Sequence, residues 1–211
     1  MNQKVFELVE RYSKEQMGKL GLHAWPHILR VLRLCEVISK SERRDVAVDL
    51  GVLRVAALLH DIAKHLEKGG GSLDHGDVGA VMAENFLKSV GFSNDKIKLV
   101  CHAIRVHTHR EEPTSMEAKI LHDADFIDKL GAVGIATIFI KACLTDKTIA
   151  EVSEAFESET EPQKRSYVAG HIRWLKHPHL YTKTAQEMAR RRNGIVSTFF
   201  KELKKELKLK M

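Results

Sequence analysis

Apolar positions recur at three and four residue intervals along almost the whole chain, as at Ile28, Val31, Leu32, Cys35 and Ile38, or at Val52, Val55, Ala56 and Leu59. This spacing lines one face of a helix, and no segment shows the sustained period-two alternation of a half-buried strand. The pattern predicts an all-α protein with helices at about 3–17, 25–40, 46–64, 76–90, 94–108, 115–122, 125–144, 148–156, 163–176 and 182–208. Breaks fall at strong punctuation. KGGGSLDHGD at 68–77 is a flexible loop that must start the next helix, Pro113 precedes a Ser115 N-cap, and Pro178 disfavours a helical His177. No internal repeat or low-complexity linker divides the chain. Residues 1–211 therefore read as one helical domain, with a core at about 20–145 and C-terminal helices at about 146–211 packed on it.

Composition narrows the class. With 44% hydrophobic and 29% charged residues and four prolines among 211, the chain is long enough and apolar enough to fold as a globular protein. Cys35, Cys101 and Cys143 lack paired spacing, which argues against a disulfide framework or a thiolate zinc site and reads as reduced core residues. The opening MNQKVFELVERYSKEQ has no apolar stretch of signal-peptide length, and GAVGIATIFI is too short to span a bilayer. A cytoplasmic protein without membrane association is expected. The formal charge of +6 suits an anionic partner, phosphate esters or nucleic acid, without choosing between them. Much of that excess lies in KELKKELKLK, which reads as a surface helix.

The candidate chemistry starts at LLHDIAKH, residues 58–65, where His60 and Asp61 close the strongest apolar run of the first half. A carboxylate there is costly to bury without a cation or a donor. A divalent metal is the economical partner. Imidazole and carboxylate without thiolate suit manganese first, with magnesium, iron, cobalt, nickel and zinc as alternatives. His27, at the head of an otherwise apolar helix, reads alone as a satisfied core histidine or as a further ligand. A second His-Asp pair follows at His122 and Asp123, in a stretch where Asp123, Asp125 and Asp128 crowd together. Asp125 and Asp128 would share a helix face, and the stretch reads either as metal-related or as an acidic helix N-terminus.

The order His27, His60-Asp61, Asp125 resembles the HD superfamily of metal-dependent phosphohydrolases. RVAALLHDIAK, HGDVGA, CHAIRVHTH and EAKILHDADFIDKLGAVGIA resemble a bacterial and archaeal branch that includes nucleotide pyrophosphohydrolases. YTKTAQEMARRRNGIVSTFFKELKKE is similar to that branch's C-terminal helices, so the resemblance covers nearly the whole chain. It implies a helical HD-domain bundle with His27, His60, Asp61 and Asp125 as metal ligands. His122-Asp123 is then a decoy, with Asp123 and Asp128 as neighbours that orient ligands and Asp123 as the fallback ligand. Two departures stand out: Ala24 where many members carry an aspartate after the histidine at the place of His23, and Phe126 where a basic residue is common.

The resemblance further implies that Asp61 orients a water activated by the metal and that Lys64, three residues on, meets a phosphate. His107 would protonate the leaving group or bind a phosphate oxygen. His75, with His102 or His107, would complete a second metal site in two-metal members, although the motifs resemble the single-metal branch more. Of Arg190 to Arg192, Arg191 is the candidate phosphate contact. The leading expectation is hydrolysis of a small phosphorylated substrate, a nucleotide, and specifically a nucleoside triphosphate cut between its α and β phosphates. A two-iron oxygenase and a nucleotide- or RNA-binding module without turnover are the alternatives. Nucleic acid is not the expected partner, and homodimers are common in this group.

Overall fold

Ten α-helices, and no strand among the described residues, make up the fold of a computed structural model that describes residues 3–17, 25–42, 46–66, 74–108, 111–158 and 167–208. They are α1 (Gln3–Met17), α2 (Trp25–Glu42), α3 (Leu50–Leu59), α4 (His75–Ser89), α5 (Asn94–Val106), α6 (Met116–Asp128), α7 (Gly131–Cys143), α8 (Ile149–Glu157), α9 (Tyr167–Lys176) and α10 (Lys183–Leu207). The all-α expectation is met. No described helix is long and apolar enough to cross a membrane.

The helices depart from the periodicity at two places. The predicted helix over 46–64 starts at Leu50 and stops at Leu59, so His60 and Asp61 lie in the turn after α3 and Lys64–Leu66 form a short 3-10 turn. Bonds from Ile62 N to Leu59 O (3.3 Å), Lys64 N to Asp61 O (2.9 Å) and Leu66 N to Ala63 O (2.9 Å) tighten the chain there. Lys64 is therefore not one helical turn beyond Asp61 on an α-helix. The predicted break between 122 and 125 is absent: α6 runs through all three aspartates, and the chain turns at Lys129–Leu130 before Gly131, whose φ is +68°. Ser115 does cap α6, accepting from Ala118 N at 3.1 Å.

The chain packs as two compact units. One comprises Met1–Asp125 with Tyr181–Thr184. Its centre is α3, whose Val52, Leu53, Val55, Ala56, Ala57, Leu58 and Leu59 are all buried, with α1, α2 and α5 packed against it. Removing such aliphatic side chains from water contributes roughly 1.5–3 kcal/mol for each large one. Asp49 caps the start of α3 through Gly51 N (2.8 Å) and Val52 N (3.1 Å), and its own N–H donates to the buried Glu117 of α6 at 2.7 Å. Asp74 caps α4 through Gly76 N at 2.7 Å. A side chain at Gly76 would meet the Arg105 carbonyl at 2.8 Å, so glycine lets α4 approach α5.

The other unit comprises Phe126–Leu180 with Ala185–Met211. Its α7, α8 and α9 pack on one another, and Phe200 of α10 stacks on Phe156 with ring centroids 3.9 Å apart. Arg192 donates to the Ile127 carbonyl near the end of α6 and lies against Gly131. Of the cysteines, Cys35 and Cys101 are buried as expected, whereas Cys143, at the end of α7, is exposed.

Candidate metal centre

The end of α3 is closed by side chains, and this positions His60 and Asp61. A helix end leaves carbonyls without partners, which is costly in a buried place. Here His60 Nδ1 lies 2.9 Å from Ala57 O, and Ser13 Oγ of α1 donates to Leu58 O at 2.5 Å. A carbonyl only accepts, so the His60 proton is on Nδ1 and its Nε2 lone pair points away from the helix. His107, just after α5, is held in the same way, its Nδ1 donating to Ile104 O at 2.5 Å.

The His60 lone pair meets three other groups. Its Nε2 is 3.4 Å from His27 Nε2, 3.7 Å from Asp61 Oδ2 and 3.9 Å from Asp125 Oδ1. His27 Nε2 is 3.6 Å from Asp61 Oδ2 and 3.3 Å from Asp125 Oδ1. Thus α2 and the turn after α3 bring His27, His60 and Asp61 together as one candidate cation site, and α6 sets Asp125 Oδ1 against its two imidazoles. Asp61 and Asp125 are each 3% exposed, and two buried carboxylates beside two imidazoles call for positive charge between them. Burial pushes the His60 imidazole down to about 4, with Asp61 and Asp125 opposing, so it is neutral near pH 7, the form that ligates metal. Burial, then the charge of Asp125, raises the Cys35 thiol well above its ordinary range, which keeps it protonated. The donor set fits a hard or borderline divalent cation.

A second group of donors shares Asp61. Its other oxygen, Oδ1, is 3.3 Å from His75 Nε2 and 3.5 Å from His107 Nε2, and those two nitrogens are 3.3 Å apart. His75 opens α4, and its Nδ1 lies 3.4 Å from Lys64 Nζ.

The remaining candidates lie elsewhere. His102 is half-buried, and its Nε2 accepts from Thr114 N (3.2 Å) and Thr114 Oγ1 (2.9 Å). Asp123 is fully buried, and its carboxylate accepts from Tyr181 N (3.0 Å), Thr182 N (2.7 Å), Thr182 Oγ1 (2.7 Å) and His122 Nδ1 (3.1 Å). Asp128 is buried at the end of α6, and Arg191 is exposed on α10, both in the second unit. His23, Ala24 and most of the 68–77 loop lie outside the described residues. Sequence reasoning missed Ser13, Glu117 and the Lys64–His75 contact, which no local pattern marks. Asp74 could have been found as an N-cap from its place before HGDVGA.

Comparison with known proteins places this geometry in a family. The HD domain family matches residues 25–130, half of the chain, a span that includes all four clustered residues. The protein YpgQ of Bacillus subtilis (strain 168) is 27% identical over 191 residues, covering 88% of this chain and 84% of that protein. The crystal structure of a predicted HD superfamily hydrolase from an uncultured Thermotogales bacterium is similar with a TM-score of 0.66 at 28% identity, over 98% of this chain and 99% of that one. The crystal structure of B. subtilis YpgQ in complex with ADP shares the fold with a TM-score of 0.67 at 24% identity, over 95% and 97% of the two chains.

Proposed function

The chain belongs to the HD domain family of metal-dependent phosphohydrolases, and we propose that its substrate is a nucleotide, specifically a nucleoside triphosphate cut between the α and β phosphates. His27, His60, Asp61 and Asp125 would hold one divalent ion, manganese by preference. The observation that carries the reading is the convergence of His27 Nε2, His60 Nε2, Asp61 Oδ2 and Asp125 Oδ1. Support for the nucleotide comes from the related YpgQ, whose crystal structure is in complex with ADP.

When bound, such a cation supplies the Lewis acidity that acidifies water and withdraws charge from phosphoryl oxygens. The protein's residues do the rest. Asp61 Oδ1, turned away from the four-atom cluster, accepts a hydrogen bond from the attacking water and aims it. His107 Nε2, held as a lone pair by the Ile104 carbonyl, takes up the proton that water gives away and passes it to the leaving pyrophosphate oxygen. The water oxygen ends on the α phosphorus, the bond from that phosphorus to the bridging oxygen breaks, and a nucleoside monophosphate and pyrophosphate are released.

The test is release of pyrophosphate and orthophosphate from a panel of nucleoside mono-, di- and triphosphates with MnCl2, comparing wild type with Asp61→Asn. Pyrophosphate from a triphosphate, lost in the variant, is the expected result. Orthophosphate from monophosphates would replace the bond proposed, and an inactive wild type that binds manganese would remove the nucleotide.

A second reading, a two-iron oxygenase, is favoured by one observation, the pair His75 and His107 on Asp61 Oδ1. Two irons per chain after anaerobic loading would support it.

A further inference from the structure

We propose that the outer face of α7, with the adjoining strip of α10, binds a second copy of this chain in an antiparallel, two-fold symmetric pairing. Both helices belong to the second unit, and neither carries a metal-centre residue.

α7 is built the wrong way round for a helix in contact with water. Its one charged residue, Lys141, is 5% exposed with Nζ 3.1 Å from His171 Nδ1, whereas every exposed residue of the helix, Val133, Ala136 and Ile140 among them, is apolar. A surface helix normally turns its polar residues outward. Leu144, just past the helix, is 73% exposed and continues the face. Beside it, the ring of Phe139 meets that of Phe199 on α10 with centroids 5.8 Å apart, and Phe199 and Ile195 are themselves exposed. Each helix is about 10 Å across and the shared stretch about 20 Å long, so the apolar patch covers roughly 400 Å2, the size at which a monomer's largest patch is often functional.

Charge selects the occupant. The face of α7 carries no cation for a phosphate backbone or an anionic lipid surface. On α10 the exposed strip runs from Arg191, through Ile195 and Phe199, to Glu202, four side chains that helical geometry projects from one side. Glu202 meets Lys205 of its own helix at 2.8 Å, an exposed pair that exchanges at little cost. A strip that is basic at one end and acidic at the other complements itself when turned end for end. Gly131 lies against Arg192 and Phe139 against Phe199 and Phe200, so α7 and α10 run in the same direction with Ala136 level with Ser197. One two-fold axis across both helices at that level sets Val133 against the partner's Ile140, Ile195 against the partner's Phe199, and Arg191 close to the partner's Glu202. The small Ala136 sits at the axis, where the backbones come closest. The patch is about half of what each partner gives to a standard interface, so the dimer belongs to the weak, concentration-dependent class.

The experiment follows the full-length protein by sedimentation equilibrium from low to high micromolar concentration. Wild type should pass from monomer to dimer. Ile140→Glu should stay monomeric with an unchanged circular dichroism spectrum, because Ile140 is 47% exposed. Arg191→Glu and Glu202→Arg should each weaken the dimer about tenfold, and the two together should restore it, which tests the register without touching the apolar face. In a Cys143→Ser background, Ala136→Cys should form a disulfide-linked dimer on oxidation with copper phenanthroline. The native, exposed Cys143 should not, since about seven residues of helix on each side of the axis put the two copies roughly 20 Å apart there. A wild type that is monomeric throughout overturns the proposal, as does a dimer that survives Ile140→Glu, fails to recover in the charge exchange, or cross-links through Cys143. A monomer that sediments with phosphatidylglycerol vesicles, and loses them in Ile140→Glu, would overturn it in favour of a lipid surface.

Discussion

Ser13 Oγ, on α1, donates to the carbonyl of Leu58, two residues before His60, across 45 residues of sequence. The bond takes one of the carbonyls that a continuing α-helix would have used, His60 takes the next one back, and α3 can stop inside the core. The His-Asp pair thus lies just past the last residue of α3, His60 still with helical φ and ψ of −60° and −36°, and the two oxygens of Asp61 face different partners.

Ser13→Ala should lower stability by about 1–2 kcal/mol, because the Leu58 carbonyl would be left buried without its donor. It should also weaken Mn2+ binding several-fold, because the turn carrying Asp61 loosens. Urea denaturation and a manganese titration on the same preparation check both, and a wild-type urea midpoint would rule out the role given to this bond.

Asp123→Asn should cost about 2–4 kcal/mol, since an amide cannot accept at both ends from the Tyr181 and Thr182 donors. The folded variant should still take up manganese with wild-type stoichiometry, while Asp125→Asn should lose it. Loss of the ion in Asp123→Asn with the fold intact would make Asp123 a ligand.

Gly134→Ala should destabilise the second unit by about 2–4 kcal/mol, because the added carbon would fall 2.2 Å from the Lys129 carbonyl and 2.9 Å from Leu175 Cδ2. Backbone cannot rotate away as a side chain can. Thermal melting followed by Trp174 fluorescence reads the effect, and an unchanged melt would show that the turn before α7 yields.

His60 gives a pH dependence with a definite sign. Its folded value, about 4, lies below the ordinary 6.5, so between those values the unfolded chain binds more protons. The stability it contributes is complete above about pH 6.5 and is lost as pH falls toward 4, on the order of 3 kcal/mol in all. In chelator-treated protein the His60 ring resonances should stay neutral through pH 6 and titrate near 4. A midpoint near 6.5 would mean that the ring is solvated.

Much of this molecule is legible in sequence because helical apolar spacing is a local property. Ile28, Val31, Cys35 and Ile38 show α2 directly, and the residue types of His60, Asp61 and Asp125 show where charge must be compensated. What stays hidden depends on distant partners. No glycine or proline follows Leu59, so nothing local marks the stop that Ser13 and His60 produce. Asp123 reads as an interruption because its donors, Tyr181 and Thr182, lie far along the chain. Lys64 reads as a phosphate contact from its spacing to Asp61, and its neighbour His75 enters only because α4 begins beside it.

The four clustered donors come from α2, the turn after α3, and α6, and no short stretch supplies more than two of them. A nascent or denatured chain therefore offers a cation almost nothing to grip, unlike a finger whose ligands are near neighbours. Ion capture must follow collapse, after slow long-range contacts have formed. Uptake of a divalent cation during refolding would consequently time the completion of the first unit, and its release during denaturation would mark that unit's collapse as a whole.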